Sequence, residues 1–213
     1  MSSVSLSTDD AVVTRMRSED RRALVLEAAT RVFGDRGYYG ATTDQIAREA
    51  GVSQPYVVRM FGNKETLFLE VLQRALDRMM SAFRTALEEN RETADPGDHE
   101  ALQRCIGRTY VDLLADRGLL LSLMHAFAMG ADPVIGRAAR QGMLDVYRFL
   151  RDEVGLDAAE CSDFLAGGML LNTVVGMRMA DDYDDDPLAR ELLEAILPTK
   201  LDLLLALRDE PTS

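Results

Sequence analysis

Apolar positions along this chain fall three and four residues apart almost everywhere, and nowhere do they alternate with polar ones over the length of a strand. Side chains at that spacing share one face of a helix, so the pattern predicts an all-α protein. The first helix is expected from about Ser18, a good N-cap followed by the dipole-complementing Glu19 and Asp20, to Gly34 or Gly37. Val25, Ala28, Ala29, Val32 and Phe33 make its inner face. Thr42 with Gln45 three residues on has the spacing of a capping box and opens a second helix that ends at Gly51. Ser53 opens a third, with Pro55 in its first turn, where a missing N–H costs nothing, and "FGN" stops it. A fourth helix runs from Asn63 to about Asn90. Past a loop, "RETADPGD" at 91–98, helices are expected at 99–116, 118–129, 132–154, 157–180 and 188–208, with Pro198 kinking or splitting the last.

Two short helices joined by a tight Gly-Val-Ser turn have the proportions of a helix-turn-helix, at 42–61. Ile46, Ala47 and Ala50 are placed to pack against Val52, Val57 and Phe61. That leaves Ser53, Gln54, Pro55, Tyr56 and Arg59 facing outward, a set able to bond or stack on base edges and phosphates. Lys64, beside the free N–H groups that open the fourth helix, suits a phosphate. Spacing alone describes equally well a helical hairpin whose polar face is merely solvated.

Charge changes this picture by its placement. The formal net charge is -12, yet residues 1–68 hold nine basic and nine acidic side chains, leaving 15 basic against 27 acidic in the remaining 145 residues. A neutral head on an acidic body suggests two jobs, and it removes the objection that an acidic protein should avoid DNA. The N-terminus has no apolar run of signal-peptide length and nothing spans a bilayer, so a cytoplasmic protein is expected, with no membrane partner. Cys105 and Cys161 lack metal-ligand or CxxC spacing and are expected as free thiols; no metal and no cofactor is predicted. The Asp-rich run at 181–187 lacks the Gly and the distal Glu of a calcium loop and is expected to be a solvated turn. With two histidines and no HExxH, GxSxG or phosphate-binding Gly loop, an enzyme is not expected.

The stretch from Arg22 to Leu72, "RALVLEAATRVFGDRGYYGATTDQIAREAGVSQPYVVRMFGNKETLFLEVL", resembles the N-terminal domain of TetR-type transcriptional regulators. The matches are Ala28, Ala29, Phe33, Gly37, Thr42, Thr43, Ile46, Ala47, Ala50, Gly51, Val52, Ser53, Phe61, Lys64, Glu65, Leu67 and Phe68. The resemblance implies a flexible arm at 1–17, a DNA-binding domain at 18–78 and an effector-binding, dimerising domain at 79–213. It assigns Thr43, Ser53 and Lys64 to phosphates and Gln54, Pro55, Tyr56 and Arg59 to positions at or near bases. Arg48 is a further phosphate candidate. The chain departs from the family where it has Val58 and Met60, positions that usually carry backbone-contacting aromatics or His.

For the body the resemblance implies a homodimer formed through the last two helices, a small-molecule effector and a double-stranded inverted-repeat operator. The residues speak to this separately. A terminal segment apolar nearly all round, with Leu192, Ile196, Leu201 and Leu204, needs cover on two sides, and the small-residue steps Gly168 and Gly176 on the preceding helix permit close contact. A dimer seam or an intramolecular core explains both. Tyr110, Met124, His125, Phe127, Met143, Tyr147, Phe164 and Asn172 are candidates to line a cavity for a largely apolar effector, although Met and aromatic residues at helical spacing also describe plain core. The function expected is that of a ligand-responsive repressor. The alternatives are an acidic helical interaction module with a structural helix-turn-helix, and a small enzyme.

Overall fold

The computed structural model describes residues 8–91, 99–113, 116–198, 200–206 and 208; most of the 91–98 loop and residues 1–7 of the expected arm lie outside them. Among the described residues there is no strand. The helices are α1 (Thr8–Gly40), α2 (Thr43–Glu49), α3 (Gln54–Phe61), α4 (Lys64–Arg91), α5 (His99–Asp112), α6 (Arg117–Ala128), α7 (Ile135–Phe149), α8 (Ala158–Gly176), α9 (Pro187–Ile196) and α10 (Leu201–Ala206). Their order and type follow the periodicity closely. α1 is longer than the expectation at both ends: it begins at Thr8, and the chain stays helical past a break at Gly37 (φ 67°, ψ 174°). Pro198 divides the terminal segment into α9 and α10.

Local chemistry fixes the helix ends. Thr42 and Gln45 form the reciprocal capping box expected of them, and Asp157 with Glu160 does the same for α8. Asp132 Oδ1 accepts the N–H groups of Val134 (2.9 Å) and Ile135 (2.8 Å), which sets the start of α7. The Asp-rich run is a structured turn: Asp186 Oδ1 accepts Leu188 N–H at 2.8 Å, while Asp181 and Asp184 pair with Arg178 and Arg208.

α1 to α3 close over the first part of α4 around Val25, Phe33, Ile46, Val57, Leu67 and Phe68, each essentially without exposure. Phe33 and Phe68 meet edge-on at 4.9 Å. The second part of α4 carries Phe83 into the body, where its ring stands 5.9 to 6.2 Å from Tyr110, Phe149 and Phe164. Head and body also meet along α1 and α6. There the backbones nearly touch: a Cβ on Gly34 would stand 2.8 Å from the Cα of Gly118, and one on Gly118 would stand 3.0 Å from Thr30 O. Ser122 Oγ donates to Thr30 O (3.4 Å) and His125 Nε2–H to Gly34 O (3.0 Å), so the imidazole proton sits on Nε2. No helix among the described residues is long and apolar enough to cross a membrane.

Candidate nucleic-acid interface and internal cavity

The turn between α2 and α3 depends on Gly51, whose φ of 65° is the left-handed conformation that L side chains resist. Val52 N–H then bonds to Ala47 O at 2.9 Å, holding the two helices at a fixed angle. With Val57 and Phe61 buried against Ile46 and Ala47, α3 turns Pro55, Val58 and Arg59 fully outward and Gln54 and Tyr56 partly so. Ser53 takes the N-cap position with extended backbone, but its hydroxyl does not cap the helix, contrary to the expectation, and so stays available to a phosphate. Gln54 Nε2 donates to Thr43 Oγ1 (3.2 Å), tying together one residue from each helix. Arg59 lies over the Tyr56 ring at 5.2 Å. Arg48 is paired with Asp44 one turn back, in the open.

Lys64 serves two purposes. Its ammonium donates to Tyr38 O (2.8 Å) and Ala41 O (3.0 Å) and sits 4.4 Å from the Tyr38 ring centre, closing the end of α1. One N–H remains for a phosphate. Partial burial pushes the Tyr38 phenol above its ordinary range, with Glu65 adding to the shift. Tyr39, next to it, is 80% exposed, an aromatic on the head that motif reading passed over. Its signal was local: a second aromatic between Gly37 and Gly40 with no apolar partner at helical spacing. Val58 offers no polar atom, and Met60 is half-buried against the core.

The body encloses a cavity of about 730 Å³. Its walls come from α4 (Leu76, Met79, Phe83), α5 (Gly107, Tyr110, Val111), α6 (Leu123, Phe127), α7 (Met143, Val146), α8 (Phe164 to Asn172) and α9 (Leu192 to Leu197). Of the expected lining residues, Tyr110, Phe127, Met143, Phe164 and Asn172 are there; Met124, His125 and Tyr147 are not. α6 is covered on two sides, and His125 lies on the side facing α1, where its ring approaches the open backbone of Gly37. Inside the cavity Tyr110 Oη–H donates to Asn172 Oδ1 at 2.7 Å, and burial pushes the phenol up to about 12. The rim carries Arg104, Arg108 and Lys200, which sequence reading also missed; their signal was two arginines one turn apart in an otherwise acidic domain.

The residues expected at a dimer seam divide. Leu204 is 2% exposed and belongs to the chain's own core, Gly168 and Ile196 face the cavity, and Leu201 is half-buried. Gly176 is on the outside, and Leu192 is 39% exposed at the cavity edge. Other uncovered apolar side chains here are Leu170 on α8, Met177 at its C-cap, Leu188 on α9 and Leu203 on α10, at 45%, 59%, 74% and 41% exposure. Both thiols are free. Among the described residues, no group of three or more His, Cys, Asp or Glu converges as a metal site.

Residues 25–71 match the family model for "Bacterial regulatory proteins, tetR family". That stretch, the head of the chain, is a tetR-type domain. Curated relatives point the same way: the HTH-type transcriptional activator FasR of Mycolicibacterium smegmatis is 47% identical over 73 residues, 34% of this chain and 33% of that protein. HTH-type transcriptional regulator HbdR of Aromatoleum sp. is 42% identical over 59 residues, 28% of this chain and 26% of its own length. The chain thus spans about a quarter to two fifths of the curated relatives it matches, and the family-model match lies in the head. A TetR-like transcriptional regulator from Rhodococcus sp. RHA1 shares the fold over 89% of this chain and 97% of that one, at TM-score 0.55 and 22% identity. Both of these curated relatives are named as transcriptional regulators.

Proposed function

We propose that this chain is a cytoplasmic, homodimeric repressor that binds an inverted-repeat operator through α3 and releases it when a small, largely apolar effector fills the body cavity. The observation that carries the reading is α6. One side of it walls the cavity through Leu123 and Phe127; the other holds α1 through Gly118, Ser122 and His125. A ligand that spreads the wall therefore presses on a seam where two backbones meet without side chains between them. α1 is closed at its far end by Lys64, so a shift of α1 reaches the α3–α4 junction. An effector acts only through its preference for one arrangement over another, and on this reading the α1–α6 seam is where the two differ.

On the DNA side, Gln54, Pro55, Tyr56 and Arg59 meet base edges, while Thr43, Arg48, Ser53 and Lys64 hold phosphates. Leu170, Met177 and Leu188, rather than Leu201 and Leu204, supply the apolar part of the dimer seam, with Gly176 and Leu192 beside them. A second reading, activation, is favoured by one observation: the relative whose head is 47% identical is named an activator.

The test is to select bound fragments from genomic DNA with the full chain and measure affinity for the recovered site against random DNA across a salt series. Arg59→Ala and Tyr56→Ala should each weaken specific binding by about 1–3 kcal/mol. The proposal fails if no sequence is preferred at any salt. A reporter placed behind the site decides between repression and activation.

A further inference from the structure

The cavity is not uniformly apolar, and its exceptions say what kind of molecule it takes. Resting on the reading of this cavity as the effector site, we infer that the effector is an anionic amphiphile. Its charged head sits at the Arg104–Arg108–Lys200 rim, and its chain lies among Leu76, Phe83, Phe127, Met143 and Phe164 with an oxygen acceptor opposite Asn172. Three observations support this. The rim gathers three cations, Arg104, Arg108 and Lys200, against two carboxylates, Asp163 in the lining and Asp112 paired to Lys200, although residues 69–213 hold 15 basic against 27 acidic side chains. Lys200 is held in place there by Arg108 O (3.2 Å) and Asp112, so the cations of α5 and of the α9–α10 connection are drawn to one edge.

The second observation lies deeper. Asn172 is 3% exposed and lines the cavity, and its Oδ1 is taken by Tyr110. Among the described residues no acceptor meets its Nδ2, which keeps some exposure to the cavity. A ligand that displaces water from that amide must bring an acceptor of its own or leave the donor unmet. Third, the rest of the wall is hydrocarbon and ring, which a charged or strongly polar body would not enter without losing its hydration. A molecule with one anionic end, a chain and a chain oxygen satisfies all three.

The experiment titrates the full chain, without DNA, with dodecanoate, dodecanol and dodecyltrimethylammonium below their micelle concentrations, following heat and melting temperature. Dodecanoate should bind roughly tenfold or more tighter than either of the others, a margin within reach of a few charge-assisted contacts. In Arg104→Glu/Arg108→Glu, checked for an unchanged helical spectrum, that preference should shrink to about twofold or less. Tyr110→Phe/Asn172→Leu should bind plain dodecanoate more tightly than the parent, because the unmet donor is gone, and hydroxy-substituted dodecanoates less tightly. Equal binding of the three head groups, binding by none of them, or a preference untouched by the rim variant overturns the inference. Dodecanoate that binds but leaves the operator complex intact overturns the effector function instead and leaves the ligand chemistry standing.

Discussion

The head and the body are both helical and share α4, but one is filled and the other hollow. In the head the inner apolar side chains from Val25 to Phe68 are packed with almost no exposure, the turn is fixed by a left-handed glycine, and the polar residues of α3 are presented by that frame. In the body six helices stand around an open volume lined largely by Leu, Met and Phe. The difference teaches where each region can tolerate change: a filled core transmits a lost atom as lost stability, whereas a hollow one has already given up contacts on one side.

The sharpest way to break that contrast is to cut one ring from each region. Phe33→Ala in the head should cost about 3–5 kcal/mol in urea unfolding. Phe164→Ala at the cavity wall should cost less than about 2 kcal/mol, since its ring already borders empty space. Equal losses would mean that the body closes up in solution. Alkaline titration comes next. The Tyr110 phenol, pushed up to about 12 from 10.0, keeps its proton in the folded state after the unfolded chain has lost it. Stability is therefore complete below pH 10 and falls through pH 12, by about 2–3 kcal/mol from this group. Tyr110→Phe should flatten the slope, and the tyrosinate absorbance should lose its latest-titrating component.

Gly34→Ala should cost about 1–3 kcal/mol, because its Cβ meets Gly118 backbone, which cannot rotate away. The size of its effect on DNA binding, set beside its effect on melting, shows how stiffly α1 follows α6. Gly51→Ala finds open space and pays only for its φ, about 1–2 kcal/mol, with DNA affinity falling alongside as the turn reshapes. Arg84→Ala, which breaks an exposed pair with Glu153, should change melting by less than about 1 kcal/mol and be screened by salt.

What could be read in the chain beforehand was whatever local chemistry decides. The capping box at Thr42 and Gln45, the glycine turn and the proline break at Pro198 are written within a few residues and stand as expected. The cavity was legible as a cluster of residue types: Tyr110, Phe127, Met143, Phe164 and Asn172 do meet. Direction was not legible for helices buried nearly all round. Periodicity placed His125 inside but could not say that its side faces α1 while Leu123 and Phe127 face the cavity. For the same reason Leu204 and Ile196 were assigned to a partner surface, although α10 and α9 turn them inward. Ser53 shows the limit at a single atom: the N-cap position was correct, and the hydroxyl went unused by the helix.

α4 buries Leu67 and Phe68 in the head and Met79 and Phe83 in the body without a break in its 28 residues. A boundary drawn at 78–79 therefore falls inside a continuous helix, and the helix acts as a ruler with a phase. Each residue added to it or removed from it turns everything beyond by about 100° and moves it about 1.5 Å along the axis. Heads and bodies joined through such a helix can be exchanged only in register, where whole turns restore the facing of α6 to α1. A single-residue insertion near Arg78 should leave both regions folded and misaddress one to the other.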